Sequence, residues 1–297
     1  MSAERTRSSL VKDVLDRSLV FVSGKGGVGK TVVSLAIAMV RASQGARTLW
    51  VTFEDPTRSR GETKQISPDL WHLNCDATLA FEEYATLKIG AGPLARLFIQ
   101  NKLVRYLAKA SPGIHELVLL GKVWFERTRY EYVIMDMPAT GHGLAMFQST
   151  KNFSALFSGG PIHKDAHAML ETFADPAVTG QLIVALPEEM PLRESLELND
   201  LLLEIFPQNQ PAFVANRLFP KTGETLATTP DKWPSPLATS MLDYVIKRTV
   251  LENFNMRIWR DLNIDYGEIN FIPPPDNNSH EIISAAIAGQ LTTKGYM

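Results

Sequence analysis

The residues with the plainest chemical potential stand in one short stretch, Gly24–Thr31, which reads GKGGVGKT. The spacing fits G-x-x-x-x-G-K-[ST], the pattern of a loop that wraps phosphate. Small residues let the backbone N–H groups of Gly26, Gly27, Val28 and Gly29 turn inward around a phosphate. The N-terminus of a helix opening at Lys30, Thr31 and Val32 adds partial positive charge. Lys30 is expected to reach the β- and γ-phosphates, and the Thr31 hydroxyl to ligate Mg²⁺. A second lysine, Lys25, stands at the loop entrance, where its side chain should point away from the cradle. There it is either a solvated lysine in a polar loop or a charge that reaches across to the phosphates of a facing subunit, in the manner of an arginine finger.

A nucleoside triphosphatase also needs carboxylates for metal and water. The apolar run YEYVIMDMP places Asp136 at a strand end, where a parallel sheet presents its carboxyl ends to a ligand. Asp136 is the expected magnesium carboxylate. The run TLWVTFEDP is stopped by Pro56, which leaves Asp55 in a loop beside the phosphates, able to orient an attacking water and close enough to count as a metal-side residue. After Asp136 comes MPATGHGLAM, whose Gly141 and Gly143 give the backbone freedom that a γ-phosphate sensor requires. His142 reads as a structural or switch contact rather than a base.

Such residues need a scaffold of short buried strands alternating with helices, and the chain has that pattern. Expected strands are Leu19–Ser23, Thr48–Phe53, Tyr132–Asp136, Gln181–Leu186, Ala212–Asn216 and Asn270–Pro273, each brief and apolar enough for burial on both faces. TVVSLAIAMVRASQG reads as a helix ending at Gly45, and LRESLELNDLLLEIF as a crossover helix. The intervals 61–129 and 149–180 contain helical patterns without a clear strand. They read as mainly helical insertions on one α/β core, with long crossover helices as the alternative. The expectation is a single domain over 1–297: an α/β P-loop NTPase with a mainly parallel sheet flanked by helices, plus a helical insertion subdomain.

Composition narrows the class. The chain has 297 residues, 45% hydrophobic and 21% charged, with a net charge of −2, so nothing suggests general affinity for nucleic acid or acidic membrane surfaces. One cysteine, Cys75, can make neither an internal disulfide nor a zinc site alone, which points to a reducing, cytoplasmic compartment. No apolar run approaches the ~20 residues of a spanning helix, and the charged start MSAERTRSSLVKDVLDRS has no signal-peptide core.

KGGVGKT resembles the deviant Walker A motif of the MinD/ParA/ArsA class of dimerising ATPases. Within that class the chain resembles the ArsA-like family, which holds the arsenite-pump ATPase and the targeting ATPase for tail-anchored membrane proteins. EDPT at 54–57 is similar to the family's switch I, and DMPATGHGL at 136–144 to its switch II. LPEEMPLRESLEL at 186–198 is similar to a segment that contributes an interface glutamate, here Glu188. VANRL at 214–218 resembles the strand end whose asparagine reads adenine, here Asn216 with Arg217 beside it. FIPPPDN at 271–277, with Pro274, resembles a late loop that packs on the base. The likeness runs in order from about 17 to 290. It implies ATP and Mg²⁺ as cofactors, and a homodimer or a heterodimer with a related ATPase. It implies that Lys25 acts across the interface and that Lys30 and Asp55 serve hydrolysis. It also implies a possible hydrophobic protein client, gripped by helices in 81–125 and 145–173.

The departures from the family are as specific as the matches. One cysteine cannot build a multi-thiolate metalloid site, and no Cys-x-x-Cys pair is present for zinc. Switch II has its proline and alanine exchanged relative to the family pattern. There is no Asn-Lys-x-Asp motif for guanine. A positioning ATPase of the MinD/ParA kind would call for a basic amphipathic C-terminus, and HEIISAAIAGQLTTKGYM has a single lysine. A hydrolysis-poor regulatory subunit of a heterodimer is a further alternative.

Overall fold

The computed structural model describes residues 9–89, 113–156, 161–219, 236–273 and 279–297. In chain order the first half of the fold runs α1 (Ser9–Leu15), β1 (Leu19–Ser23), α2 (Lys30–Ser43), β2 (Thr48–Phe53), β3 (Thr63–Ser67), β4 (Leu70–Cys75), α3 (Ala77–Ile89) and α4 (Ile114–Glu126). Then follow β5 (Tyr132–Asp136), α5 (Thr140–Leu156), α6 (Pro161–Ala174), β6 (Thr179–Ala185), α7 (Glu189–Ile205), β7 (Ala212–Leu218), α8 (Pro236–Asn255), α9 (Arg257–Asp261), β8 (Tyr266–Asn270) and α10 (His280–Thr293). The strands form one eight-stranded sheet in the order β3-β4-β2-β5-β1-β6-β7-β8. Every pairing is parallel except β3 with β4.

Strand alternation splits the core into two layers. Leu19, Phe21, Val133, Met135, Ile183 and Phe213 face the layer built from α3 to α7 and α9. Here Phe21 meets Phe147 and Phe173 edge-on at centroid distances of 4.9 and 5.1 Å, and Phe213 meets Trp259 at 5.2 Å. Such edge-to-face pairs add to the roughly 1.5–3 kcal/mol gained by burying each large apolar side chain. Val20, Val22, Ile134, Val184 and Val214 face the other layer, where α2 packs beside α10 and α10 also touches β8.

Two expectations need correction. The interval 61–129 was expected to lack a strand, yet it contains β3 and β4. Leu73 and Cys75 of β4 are apolar, but His72 and Asn74 on its other face are polar and buried, so the run does not look like a core strand. The last strand is Tyr266–Asn270 rather than Asn270–Pro273. Phe271 N–H still bonds Leu218 O at 2.7 Å, but Pro273 has no N–H to continue the ladder. Gly267 and Glu268 conceal this strand in the sequence.

Candidate functional site

The site lies where three strand ends meet. β1 has β5 on one side and β6 on the other, so connections leave it in both directions, the arrangement that opens a crevice at the carboxyl ends of a parallel sheet. Gly24–Gly29 follow β1, Asp136 closes β5, and Glu54–Asp55 follow β2. Two glycines are required by space as well as by backbone. A Cβ on Gly24 would lie 2.3 Å from Val184 O, and one on Gly29, at φ +94°, would lie 2.4 Å from Asn216 Nδ2.

Lys30 and Thr31 start α2 at the floor of the loop. Lys30 is 8% exposed, and its Nζ turns back to donate to Lys25 O at 2.9 Å. Burial pulls its ammonium below the usual lysine value, while Asp136 opposes that shift. Thr31 Oγ1 donates to Asp136 Oδ2 at 2.6 Å. Burial raises the Asp136 carboxyl to about 6, against the Thr31 bond and the charge of Lys30, and Asp55 is near enough to push it the same way as burial. Asp136 Oδ1 is buried with no hydrogen-bond partner. A hydroxyl and a carboxylate with an unused oxygen, beside a lysine, suit a magnesium ion that takes its other ligands from phosphates and water. Among the described residues no group of three or more His, Cys, Asp or Glu could hold a metal ion by itself.

Asp55 is held by its own loop. Its Oδ1 accepts from Thr57 N–H at 2.9 Å and Thr57 Oγ1 at 2.6 Å, and Arg58 Nε lies 3.2 Å from Oδ2. Burial alone would raise its pKa, and the bonds from Thr57 and Arg58 hold it below the usual value. The guanidinium of Arg58 stacks 4.8 Å over the Trp50 ring. Neither Arg58 nor Trp50 stood out in the sequence.

On the other side of the loop, Asn216 is 2% exposed. Its Nδ2 donates to Val28 O at 2.9 Å and its Oδ1 accepts from Arg217 N–H at 2.9 Å, so it braces the loop from beneath. Arg217 takes a left-handed backbone, φ +60°. A cleft of about 470 Å³ runs from Gly29–Val32 past Asn216 and Arg217 to Phe271 and Ile283. Pro274 lies outside the described residues. Val28 and Val32 are buried under the loop, while Gly26 and Gly27 form its exposed rim.

Lys25 reaches α7. Its Nζ lies 2.5 Å from Glu194 Oε1 on α7 of the same chain. Glu188, directly before α7, is not part of this cluster and pairs with Arg248 Nη2 of α8 at 2.8 Å. His142 lies in the first turn of α5, and no bond from it reaches the loop. The expected groove helices α3, α4 and α6 border an open, mainly apolar pocket of about 180 Å³ lined by Leu87, Leu117, Trp124, Phe125 and Met169 together with Lys122. Residues 90–112 and 157–160, expected to join that groove, lie outside the described residues. No helix among the described residues is long and apolar enough to cross a membrane.

Comparison with known proteins follows the same lines. The family described as anion-transporting ATPase, of ArsA type, matches residues 17–159, which take in the glycine loop, Asp55 and Asp136. The ATPase BagA of Mycobacterium tuberculosis is 26% identical over 209 residues, 63% of this chain and 61% of that protein. An arsenical pump-driving ATPase of Escherichia coli is 28% identical over 240 residues, 70% of this chain and 40% of its own length. One from Acidiphilium multivorum is 27% identical over 235 residues, 68% of this chain and 40% of its own length. The chain thus spans less than two thirds of the curated relatives it matches. A mostly parallel eight-stranded sheet with a glycine loop at its switch point agrees with these likenesses, and over residues 17–159 the chain is similar to the ArsA-type ATPase family.

Proposed function

We propose that the chain binds Mg-ATP at the glycine loop, hydrolyses it, and works as a dimeric switch whose closing and opening are coupled to a protein client or partner. The observation that supports this most directly is the Thr31–Asp136 bond of 2.6 Å beside buried Lys30, with the second Asp136 oxygen unused. Lys30 would exchange its bond to Lys25 O for the β- and γ-phosphates. Thr31 and Asp136 would hold magnesium, which supplies charge neutralisation on the phosphates when bound. Asp55 would orient the attacking water, and the backbone N–H groups of residues 26–31 would cradle the β-phosphate. The nucleoside would occupy the cleft beside Asn216 and Arg217, with the segment around Pro274 closing over the base.

Lys25 is read as the charge delivered to a second subunit, of the same chain or a related ATPase, once it leaves Glu194. The cavity between α3, α4 and α6 is the candidate client site. The arsenical role named for the pump relatives does not suit this chain. Its one cysteine is 1% exposed, with burial pushing the thiol up to about 12, far from a thiolate ligand. A reducing cytoplasm remains the compartment of this proposal.

The test is ATP hydrolysis and mass in solution, with Mg-ATP and an unhydrolysable analogue, for wild type and Lys25→Ala. Dimerisation with turnover in wild type, and binding without turnover in Lys25→Ala, supports the switch. A wild-type chain that binds ATP but stays monomeric and inert rejects the homodimer mechanism. It leaves a heterodimer with a related ATPase, the reading that fits the exchanged proline and alanine of switch II.

A further inference from the structure

Asn74 ends the polar face of β4. It is fully buried, and it spends its whole hydrogen-bonding capacity at one place. Its Oδ1 accepts from Asp55 N–H at 3.0 Å and from Thr52 Oγ1 at 3.3 Å. Its Nδ2 donates to Asp55 O at 2.8 Å and to Arg58 O at 3.2 Å. An amide offers two acceptor sites and two donor hydrogens, so all four are used, three of them on the backbone that carries the Asp55 carboxylate. The layer below is equally determined. Thr52 and Asn74 are register partners across β2 and β4, as are Trp50 and His72. Thr52 Oγ1 lies 2.9 Å from His72 Nε2, the His72 ring sits 4.6 Å from the Trp50 ring, and Arg58 covers Trp50.

This stack matters because the loop leaves β2 through a strained step. Glu54 takes φ +49°, a left-handed conformation that a non-glycine residue keeps only where its surroundings impose it. The next residue is Asp55. Asn74 fixes its N–H and C=O together, which sets where its carboxylate points. Thr57 and Arg58 then fix the rotamer.

We infer that Asn74 is the positioning residue for Asp55: it holds the switch I backbone to the sheet so that the carboxylate faces the phosphate site. This rests on the proposed hydrolysis, in which Asp55 orients water. Aspartate at position 74 would lack the donor for Asp55 O and Arg58 O, and leucine would lack every bond. The sheet therefore demands an asparagine where packing alone would accept an apolar residue.

The experiment uses the full chain with Mg-ATP as probe. Asn74→Ala should bind the nucleotide nearly as wild type, with KM changed by less than about threefold, while kcat falls about 10- to 100-fold. In an Asp55→Asn background the same substitution should add almost no further loss, because it acts through Asp55. Cys75→Ala removes a side chain on the opposite face of β4 and leaves the bond from Glu54 N–H to Cys75 O in place, so it should lower the melting temperature and keep kcat within about twofold of wild type. If Asn74→Ala does not fold, Asn74→Ser retains a small polar group in the layer and should lie between the two. Exchange of the Asp55, Thr57 and Arg58 amides should quicken in either variant. A kcat within about twofold of wild type for the position-74 variant, a full additional loss in Asp55→Asn, or unchanged exchange at those three amides would each overturn the inference. If wild type itself turns over no ATP, the proposed hydrolysis fails, and the exchange measurement alone still decides whether Asn74 holds the loop.

Discussion

Lys25 Nζ and Glu194 Oε1 lie 2.5 Å apart within one chain, so the lysine at the mouth of the glycine loop is held by α7 of its own subunit. Its side chain is 46% exposed, and a pair so open to solvent contributes about 0–1 kcal/mol. A contact that weak could be exchanged for a phosphate across the interface of the proposed dimer.

Glu194→Ala is therefore expected to leave stability within about 0.5 kcal/mol of wild type and to favour ATP-dependent association, since Lys25 no longer has to be released. Sedimentation with an unhydrolysable analogue measures this. Weaker association in Glu194→Ala would mean that the pair supports the dimer instead of competing with it.

Lys30→Ala should weaken ATP binding by about 10- to 100-fold, since a charge-assisted contact to phosphate is lost from a largely buried position. Lys30 at present satisfies only the carbonyl of Lys25, so folding should change little. Nucleotide titration against a melting curve separates the two effects.

Gly29→Ala should do the reverse and damage the scaffold. The new methyl would meet Asn216 Nδ2 at 2.4 Å, in a backbone at φ +94° that disfavours any side chain. A loss of about 1–3 kcal/mol is expected, together with weakened nucleotide binding as the brace from Asn216 to Val28 O shifts. An unchanged melting temperature would show that Asn216 moves aside freely.

His72 supplies a pH dependence of stability. Burial, helped by the charge of Arg58, lowers its folded pKa to about 4 from 6.5, so the folded chain keeps the ring neutral. Between these values the unfolded chain binds the extra proton, so stability from this group is complete above about pH 6.5 and is lost as pH falls toward 4, roughly 3 kcal/mol in all. His72→Gln should flatten that part of the stability-against-pH curve. A curve identical to wild type would exclude His72 as its source.

The sequence by itself determined the loop and its chemistry. The spacing of Gly24, Gly29, Lys30 and Thr31 is local, and so is the strand-then-helix context, because both depend on residues a few positions apart. The central strands were legible because burial on both faces leaves short apolar runs, as in Leu19–Ser23 and Tyr132–Asp136. β4 and β8 were not, because His72 and Asn74 in one and Gly267 and Glu268 in the other break that pattern. Only the tertiary structure decided which distant residues meet. The order β2-β5-β1 brings Asp55, Asp136 and Thr31 to one crevice, and the β2–β4 register sets Asn74 under Asp55. The packing of α7 gives Lys25 its partner 169 positions away. Those contacts depend on strand order and helix placement, which follow from burying both faces of the sheet at once and not from any stretch of neighbouring residues.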